Sequence, residues 1–323
     1  MRVAYLVMNH RPPTQLLRLL STLRRGDRDA PIVVHHDRFR SRLEPAALEP
    51  LGKAQLLTSD EPLSWGTHGI VDASWRSLTW MLERVEFDWV VLLSGQDYPI
   101  KPLRSLHEML SQTDADVFLN AVRIDDVADH RERKDKRLRY LYQYRRIPTN
   151  RVSIGPERFH RLTHQGTELF FDLANTIQPY VKFYKLPDGL PRCIGVRARS
   201  TPFSTTFPCW YGETWPALSH RAVRRIVDVP RQWPDYLAYY RKTVIPSESA
   251  MITIVCNDPD LKVEPRDLHH IRWSRRTTGH PDVFGATDIE ELLASSGYFA
   301  RKFDITQDTE ILDRLDLEIL PAS

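Results

Sequence analysis

The chain has 323 residues, 41% of them hydrophobic and 27% charged, with a formal charge of +3 and a mean hydropathy of −0.42. A charge that small gives no reason, by itself, to expect a nucleic-acid or membrane partner. Cys193, Cys209 and Cys256 fit neither a disulfide framework nor a zinc spacing. Cys193 and Cys209 could pair, but reduced thiols are the simpler reading. The amino terminus lacks the apolar core of a signal peptide, and no stretch approaches the roughly 18 apolar residues of a membrane span. A soluble, cytoplasmic protein is expected.

Val3 to Met8 predicts a buried strand, and Leu16, Leu17, Leu19, Leu20 and Leu23 form a helical apolar stripe. Ala30 to Asp37 predicts a second strand that ends on an acid. This β-α-β opening is how a doubly wound nucleotide-binding domain begins. No Gly-x-Gly-x-x-Gly follows the first strand, so the chemistry is not that of a dinucleotide site. His35 and His36 face opposite ways on a strand and cannot easily share a metal; Asp37 holding a nucleobase or ribose is the better use of that strand end. Residues 68–86 predict a helix leading into Trp89 to Leu93, an unbroken apolar run that reads as a central strand buried on both faces. The run stops at small and polar residues and one carboxylate, Asp97, where ligands sit in open α/β sheets.

Pro102 to Gln112 predicts a short helix and Ala115 to Val122 another strand. Asp114-Ala115-Asp116 precedes that strand and reads as a surface turn. From Asp125 to about Pro208 the pattern weakens, and an irregular insertion over one end of the sheet is expected, where substrate-covering loops tend to sit. Ala217–Val227 and Ser249–Val255 are expected to be helical. No repeat, low-complexity run or linker divides the chain, which reads as one domain, 1–323.

Four segments carry candidate chemistry. Ile245-Pro246-Ser247-Glu248 places a Glu at the start of an apolar helix. The plain reading is an acid favoured by the helix dipole with Ser247 as cap; the functional one is a general base on a rigid element. Tyr298 to Asp304 sets Arg301 and Lys302 between aromatics: a solvated pair beside a Phe core, or a clamp for a departing diphosphate. Arg272, Arg275 and Arg276 form a second basic cluster that could converge there. Arg131 to Arg146 is the strongest charge cluster, with Tyr140, Tyr142 and Tyr144 interleaved. It reads as a solvated helix face with internal ion pairs, a single-strand nucleic-acid surface, or an acceptor-binding lid.

Together these pieces resemble the core-2/I-branching β-1,6-N-acetylglucosaminyltransferase and peptide xylosyltransferase family, glycosyltransferase family 14. The resemblance rests on AYLVMNHR near the start, VVHHD at 33–37, SWGTHGIVDA at 64–73 and LLSGQDYPIK at 92–101. It continues through WPALSHRAV at 215–223, VIPSESA at 244–250, and IRW, HP and YFARKFD in the tail, all in the family's order. It implies a GT-A-like α/β fold, a mostly parallel sheet flanked by helices, and a UDP-sugar donor whose anomeric carbon is inverted with no required metal or other cofactor. GT-A transferases usually put an Asp-x-Asp metal pair at the position of Asp97, and here the second acid is missing. The family's catalytic Glu falls on Glu248 and its diphosphate-binding Lys on Lys302. Arg275, Arg276 or His280 could supply a second basic contact, with Arg301 beside Lys302. Nucleotide contacts carry over to His10 and Asp37.

The family's Gly-Ser-x-Trp-Trp-like segment reads Gly212-Glu213-Thr214-Trp215-Pro216 here. Glu213 and Trp215 are expected to border the donor or acceptor sugar, and Asp97 to orient a sugar hydroxyl or its own loop. The membrane anchor and disulfide-rich stem of animal members have no counterpart in the sequence, so a bacterial-style enzyme with a small-molecule or glycan acceptor is expected. The rival classes are a nucleic-acid-binding protein using 131–146 and a non-catalytic module that binds UDP-sugar or carbohydrate.

Overall fold

The computed structural model describes residues 1–146, 173, 175–177, 180–185, 192–274 and 280–321. Three parallel neighbours form the heart of the main sheet: β1 (Val3–Asn9), β2 (Ile32–His36) and β4 (Trp89–Ser94), with β3 (Ala54–Thr58) outside β2. On the other side of β4 lie β12 (Ala217–Ser219), β6 (Val117–Phe118) and β13 (Val263–Glu264). β12 runs antiparallel to both β4 and β6, while β13 runs parallel to β6. The expected GT-A-like architecture, a mostly parallel sheet between helices, is present.

The apolar run of β4 explains why the sheet is covered on both sides. Trp89, Val91 and Leu93 enter one core with the leucines of α1 (Pro13–Gly26) and α3 (Leu103–Gln112); Val90 and Leu92 enter the other with α2 (Gly69–Arg84). Alternate side chains point to opposite faces, so a strand between two helical layers has no polar position. The second core is completed by α5 (His220–Gln232), α6 (Pro234–Tyr240) and α7 (Ala250–Asn257).

Several expectations need correction. The strand expected over Ala115–Val122 is two pieces in different sheets, because β7 (Ala121–Arg123) leaves the main sheet to pair with β11 (Trp210–Gly212). Asp116 is not in a surface turn: its buried carboxylate accepts from Ser219 Oγ, Arg221 and the Lys262 backbone N–H, tying β12 and the approach to β13 to β6. Ala217–Ser219 is a strand, and the helix begins only where Ser219 caps the Ala222 N–H. Much of the expected insertion, 125–208, lies outside the described residues, but its described part is regular. It contains α4 (His130–Leu141) and an antiparallel sheet of β8 (Tyr142–Arg146), β10 (Arg192–Arg197) and β9 (Val181–Lys185). Cys193 and Cys209 lie in different cores and do not form a disulfide with each other. No helix among the described residues is long and apolar enough to cross a membrane.

A second small sheet positions the tail. β15 (Phe299–Arg301) pairs with β14 (His269–Ile271) and with β5 (Asp97–Pro99), the turn that follows β4. The Phe303 N–H then donates to Gln96 O at 2.9 Å. Below it, α9 (Glu310–Ile319) is locked to the same turn by Tyr98 Oη donating to Asp316 at 2.8 Å. β15 and α9 of the tail are therefore both tied to the turn at the carboxyl end of β4.

Candidate functional site

The strand ends are fastened together before any side chain reaches outward. The Asp37 N–H donates to Asn9 O, the Gly95 N–H donates to Met8 O, and Asn9 Nδ2 lies 3.0 Å from His36 Nδ1. A Cβ on Gly95 would stand 2.2 Å from Asn9 Oδ1, so only glycine lets β4 turn this close to β1.

Asp97 sits at the centre of this floor with no exposed surface. Its carboxylate accepts from Ser94 N–H at 2.8 Å, Ser94 Oγ at 2.7 Å and Arg301 Nη1 at 3.2 Å, and His269 Nε2 lies 3.4 Å away. Burial opposes its ionisation, but Arg301, His269 and Ser94 outweigh burial and hold its pKa below the usual aspartate value. Of the two tasks expected of Asp97, ordering the loop is the one its surroundings perform; a sugar hydroxyl does not reach a wholly covered carboxylate. Arg301 stands opposite Asp97 in the β15–β5 register and lies over the Trp215 ring, 4.7 Å from its centroid.

Asp37 is equally enclosed. Its oxygens accept from the Phe39 and Leu63 N–H groups and from Ser59 Oγ, so it organises the loops after β2 and β3. His10 is solvent-exposed yet set among neighbouring atoms. Desolvation, then Arg11, Arg40 and Arg301, push its pKa down to about 4. These three arginines make the strand ends a cationic rim, and Arg11 and Arg40 were not singled out from the sequence. Lys302 is half-buried with its charge felt at Asp304. Arg272 does not converge on this rim: Asp282, Asp288 and Glu291 all hold it, and it packs on Phe284. Arg275 and Arg276 lie outside the described residues.

Glu248 belongs to a second cluster. It closes a 3₁₀ turn, Pro246–Glu248, rather than opening the helix. Ser247 caps nothing; the residue before α7 is Ser249, whose buried hydroxyl joins Trp210 O, Tyr240 Oη and Thr253 Oγ1. Ile245, just upstream, has φ 51°, a left-handed conformation costly for a β-branched residue. It is held there by a bond from its N–H to Gly66 O and by Tyr140 Oη donating to its carbonyl. Glu248 is thus carried on a strained turn anchored in the core.

The basic-aromatic run of α4 turns inward to meet it. Arg139 Nη1 donates to Glu248 at 2.9 Å and Lys136 Nζ lies 3.7 Å from it. Asp135 and Tyr184 hold Arg139 from behind, and Lys136 covers the Tyr211 ring at 4.2 Å. The i,i+4 pairing expected within the run exists, between Asp135 and Arg139. Neither Lys136 nor Arg139 was a sequence-stated site residue, though their i,i+3 spacing places them on one helix face.

Glu213 lies between the two clusters. Desolvation, then the charges of Glu248 and Asp267, push its pKa up to about 7 against the pull of Arg301 and Lys136. Among the described residues, no three His, Cys, Asp or Glu side chains gather as a metal-ligand set.

A family model described as Core-2/I-Branching enzyme matches residues 3–295. The chain belongs to the Core-2/I-Branching enzyme family. That is the family, glycosyltransferase family 14, that the ordered motifs imply. The match stops short of Arg301 and Lys302. Among curated relatives, beta-glucuronosyltransferase GlcAT14A of Arabidopsis thaliana is 31% identical over 38% of this chain and 27% of its own length. GlcAT14C of the same plant is 24% identical over 84% of this chain and 58% of its own length. The chain therefore spans less than two thirds of either relative. Among solved structures, the apo form of mouse xyloside xylosyltransferase 1 is 12% identical, with a TM-score of 0.38 over 92% of this chain and 97% of that one.

Proposed function

We propose that the enzyme transfers a sugar from a UDP-sugar to an acceptor hydroxyl, with inversion and without a required metal. One observation carries the reading: Glu248 stands on a core-anchored turn, held by Arg139 and Lys136, and its charge is felt, together with that of Arg301, at Glu213. A carboxylate so placed takes the proton of an acceptor hydroxyl as that oxygen attacks the anomeric carbon. The bond to UDP breaks on the opposite side, and the departing diphosphate gains negative charge. Arg301 and Lys302, with Arg11 and Arg40 on the rim, supply positive charge for it, and His10, kept neutral by its surroundings, can offer a hydrogen bond. Asp97 supports that role by holding Arg301 in place. Arg139 and Lys136 at Glu248 are each met by acids, which favours this face of α4 as support for the base over a track for a nucleic-acid backbone.

The test is turnover on a panel of UDP-sugars with excess EDTA. Activity is expected to survive the chelator, and Glu248→Gln to lower kcat by about 10²–10⁴-fold. Near-full activity of Glu248→Gln, or abolition by EDTA, overturns the mechanism.

A further inference from the structure

The segment 211–215 joins the two halves of the site, and its anchors fix where its middle residue lies. At one end Tyr211 lies under Lys136, the lysine beside Glu248. At the other, Trp215 lies under Arg301, the arginine clamped by Asp97. Four residue steps span at most about 14 Å, so Glu213, in the middle of the segment, is near both anchors, and the charges of Glu248 and Arg301 are both felt at its carboxyl. Glu213 is the midpoint. Its backbone is pinned there because a Cβ on Gly212 would stand 2.2 Å from Asn120 O, and Asn120 is itself held by Asp267 at 2.8 and 2.9 Å.

On the reading above, the transferred sugar occupies that interval, with its anomeric carbon between the base and the diphosphate. Among the described residues Glu213 makes no hydrogen bond or ion pair, so its carboxyl is left for whatever enters. The charges facing it are Glu248 from the 3₁₀ turn, Asp267 from the loop before β14, Arg301 from β15 and Lys136 from α4. Each of the two cations already faces a carboxylate, Asp97 for Arg301 and Glu248 for Lys136. A further carboxylate brought in on a sugar would meet Glu213, Glu248 and Asp267 with no uncommitted cation among these groups.

We propose that Glu213 is a specificity-determining residue that admits a neutral donor sugar and turns away a uronic acid. Glu213 offers hydrogen bonds to sugar hydroxyls, while a donor carboxylate finds a like charge. The inference rests on the UDP-sugar reading and sets this chain apart from the relatives named as glucuronosyltransferases. It also sets a pH dependence. With its pKa near 7, Glu213 is mostly neutral at pH 6 and mostly ionised at pH 8, so rejection strengthens as pH rises.

The experiment is calorimetric titration of the full chain with UDP, UDP-glucose, UDP-xylose, UDP-N-acetylglucosamine and UDP-glucuronate at pH 6 and pH 8. Wild type, Glu213→Gln and Glu213→Ser are compared, each checked for a cooperative thermal melt. UDP-glucuronate is expected to bind wild type at least about tenfold more weakly than the best neutral donor at pH 8, with a smaller gap at pH 6. Both variants should narrow the gap and remove its pH dependence. Equal or tighter binding of UDP-glucuronate by wild type, or a gap unchanged in both variants, overturns the proposal while leaving the base mechanism standing. Failure to bind even UDP overturns the donor reading and this inference with it. Because the readout is affinity rather than turnover, an active Glu248→Gln enzyme would sink the base assignment without touching this result.

Discussion

Replacing Asp97 by alanine removes the acceptor for three donors at once, Ser94 N–H, Ser94 Oγ and Arg301 Nη1, and the carboxylate 3.4 Å from His269 Nε2. Arg301 is 20% exposed and His269 2%, so neither recovers full hydration. Stranding a charge by removing one partner of a buried pair costs about 3–5 kcal/mol, and the unmet Ser94 groups add to that. Against a typical total of about 5–15 kcal/mol, the variant should be folded but clearly weakened. Urea unfolding should show a lowered midpoint with an unchanged slope. The acid limb supplies an independent check. The Asp97 pKa is depressed in the fold, so its stabilisation is complete above the unfolded value of about 3.9 and is lost as pH falls through the folded one. Wild type should therefore lose stability below about pH 4 more steeply than Asp97→Ala. An Asp97→Ala protein within about 1 kcal/mol of wild type at pH 7, with the same acid limb, would refute the claim that this carboxylate holds the floor of the site.

Three further outcomes follow from other parts of the molecule. Arg139→Gln should lower kcat by about 10²-fold with a smaller change in KM, because Glu248 loses its 2.9 Å partner and its fixed geometry; an unchanged kcat would remove Arg139 from the positioning of the base. Asp116→Ala should cost about 2–3 kcal/mol in chemical unfolding while kcat stays at the wild-type value, since the residue ties strands together and touches no part of the cleft. A large loss of kcat in folded Asp116→Ala would mean the Asp-x-Asp sequence has a catalytic task. Burial, the largest cause, depresses the His35 pKa to about 4 from 6.5. Its stabilisation is thus full above about pH 6.5 and falls away towards pH 4, by on the order of 3 kcal/mol. Thermal melts of His35→Leu across that window should show a shallower decline, and an identical decline would place the proton uptake elsewhere.

The parts of the fold that could be read from the sequence are those whose local pattern and tertiary fate agree. β4 is apolar on both faces because both faces are covered, and α1 shows its stripe because only one of its sides is buried. Reading failed where short segments answer to distant partners. Val117–Phe118 and Ala121–Arg123 look like one strand until β11 and β12 divide them between sheets. Ala217–Ser219 continues a helical pattern but is drawn into the gap between β4 and β6. Glu248 stood out because it is an acid at the start of an apolar helical segment. Its partners did not, since Arg139 and Lys136 lie more than a hundred residues away in a run where ion pairs, nucleic-acid binding and an acceptor lid look alike. Only folding reveals that Glu248 joins Asp135 in taking up the charge of Arg139.

The missing second acid after β4 gains its physical sense from β15. A carboxylate at that strand end faces a cation either way, and here the cation is Arg301, delivered 204 positions later in register with Asp97 and braced on Trp215. A guanidinium fixed by a buried acid and an aromatic face loses little freedom when a diphosphate arrives, so its attraction is not spent on ordering the side chain. The cost is that Arg301 reaches its ligand already half neutralised, and one such arginine is weak compensation for a departing diphosphate. Two exposed cations near it answer that need: Arg11 and Arg40 depress the same histidine as Arg301, His10, which places the three positive charges near one point above the strand ends. On the proposed mechanism the diphosphate is held by that combined field rather than by one residue, so single substitutions on the rim should each weaken UDP binding modestly and their effects should accumulate.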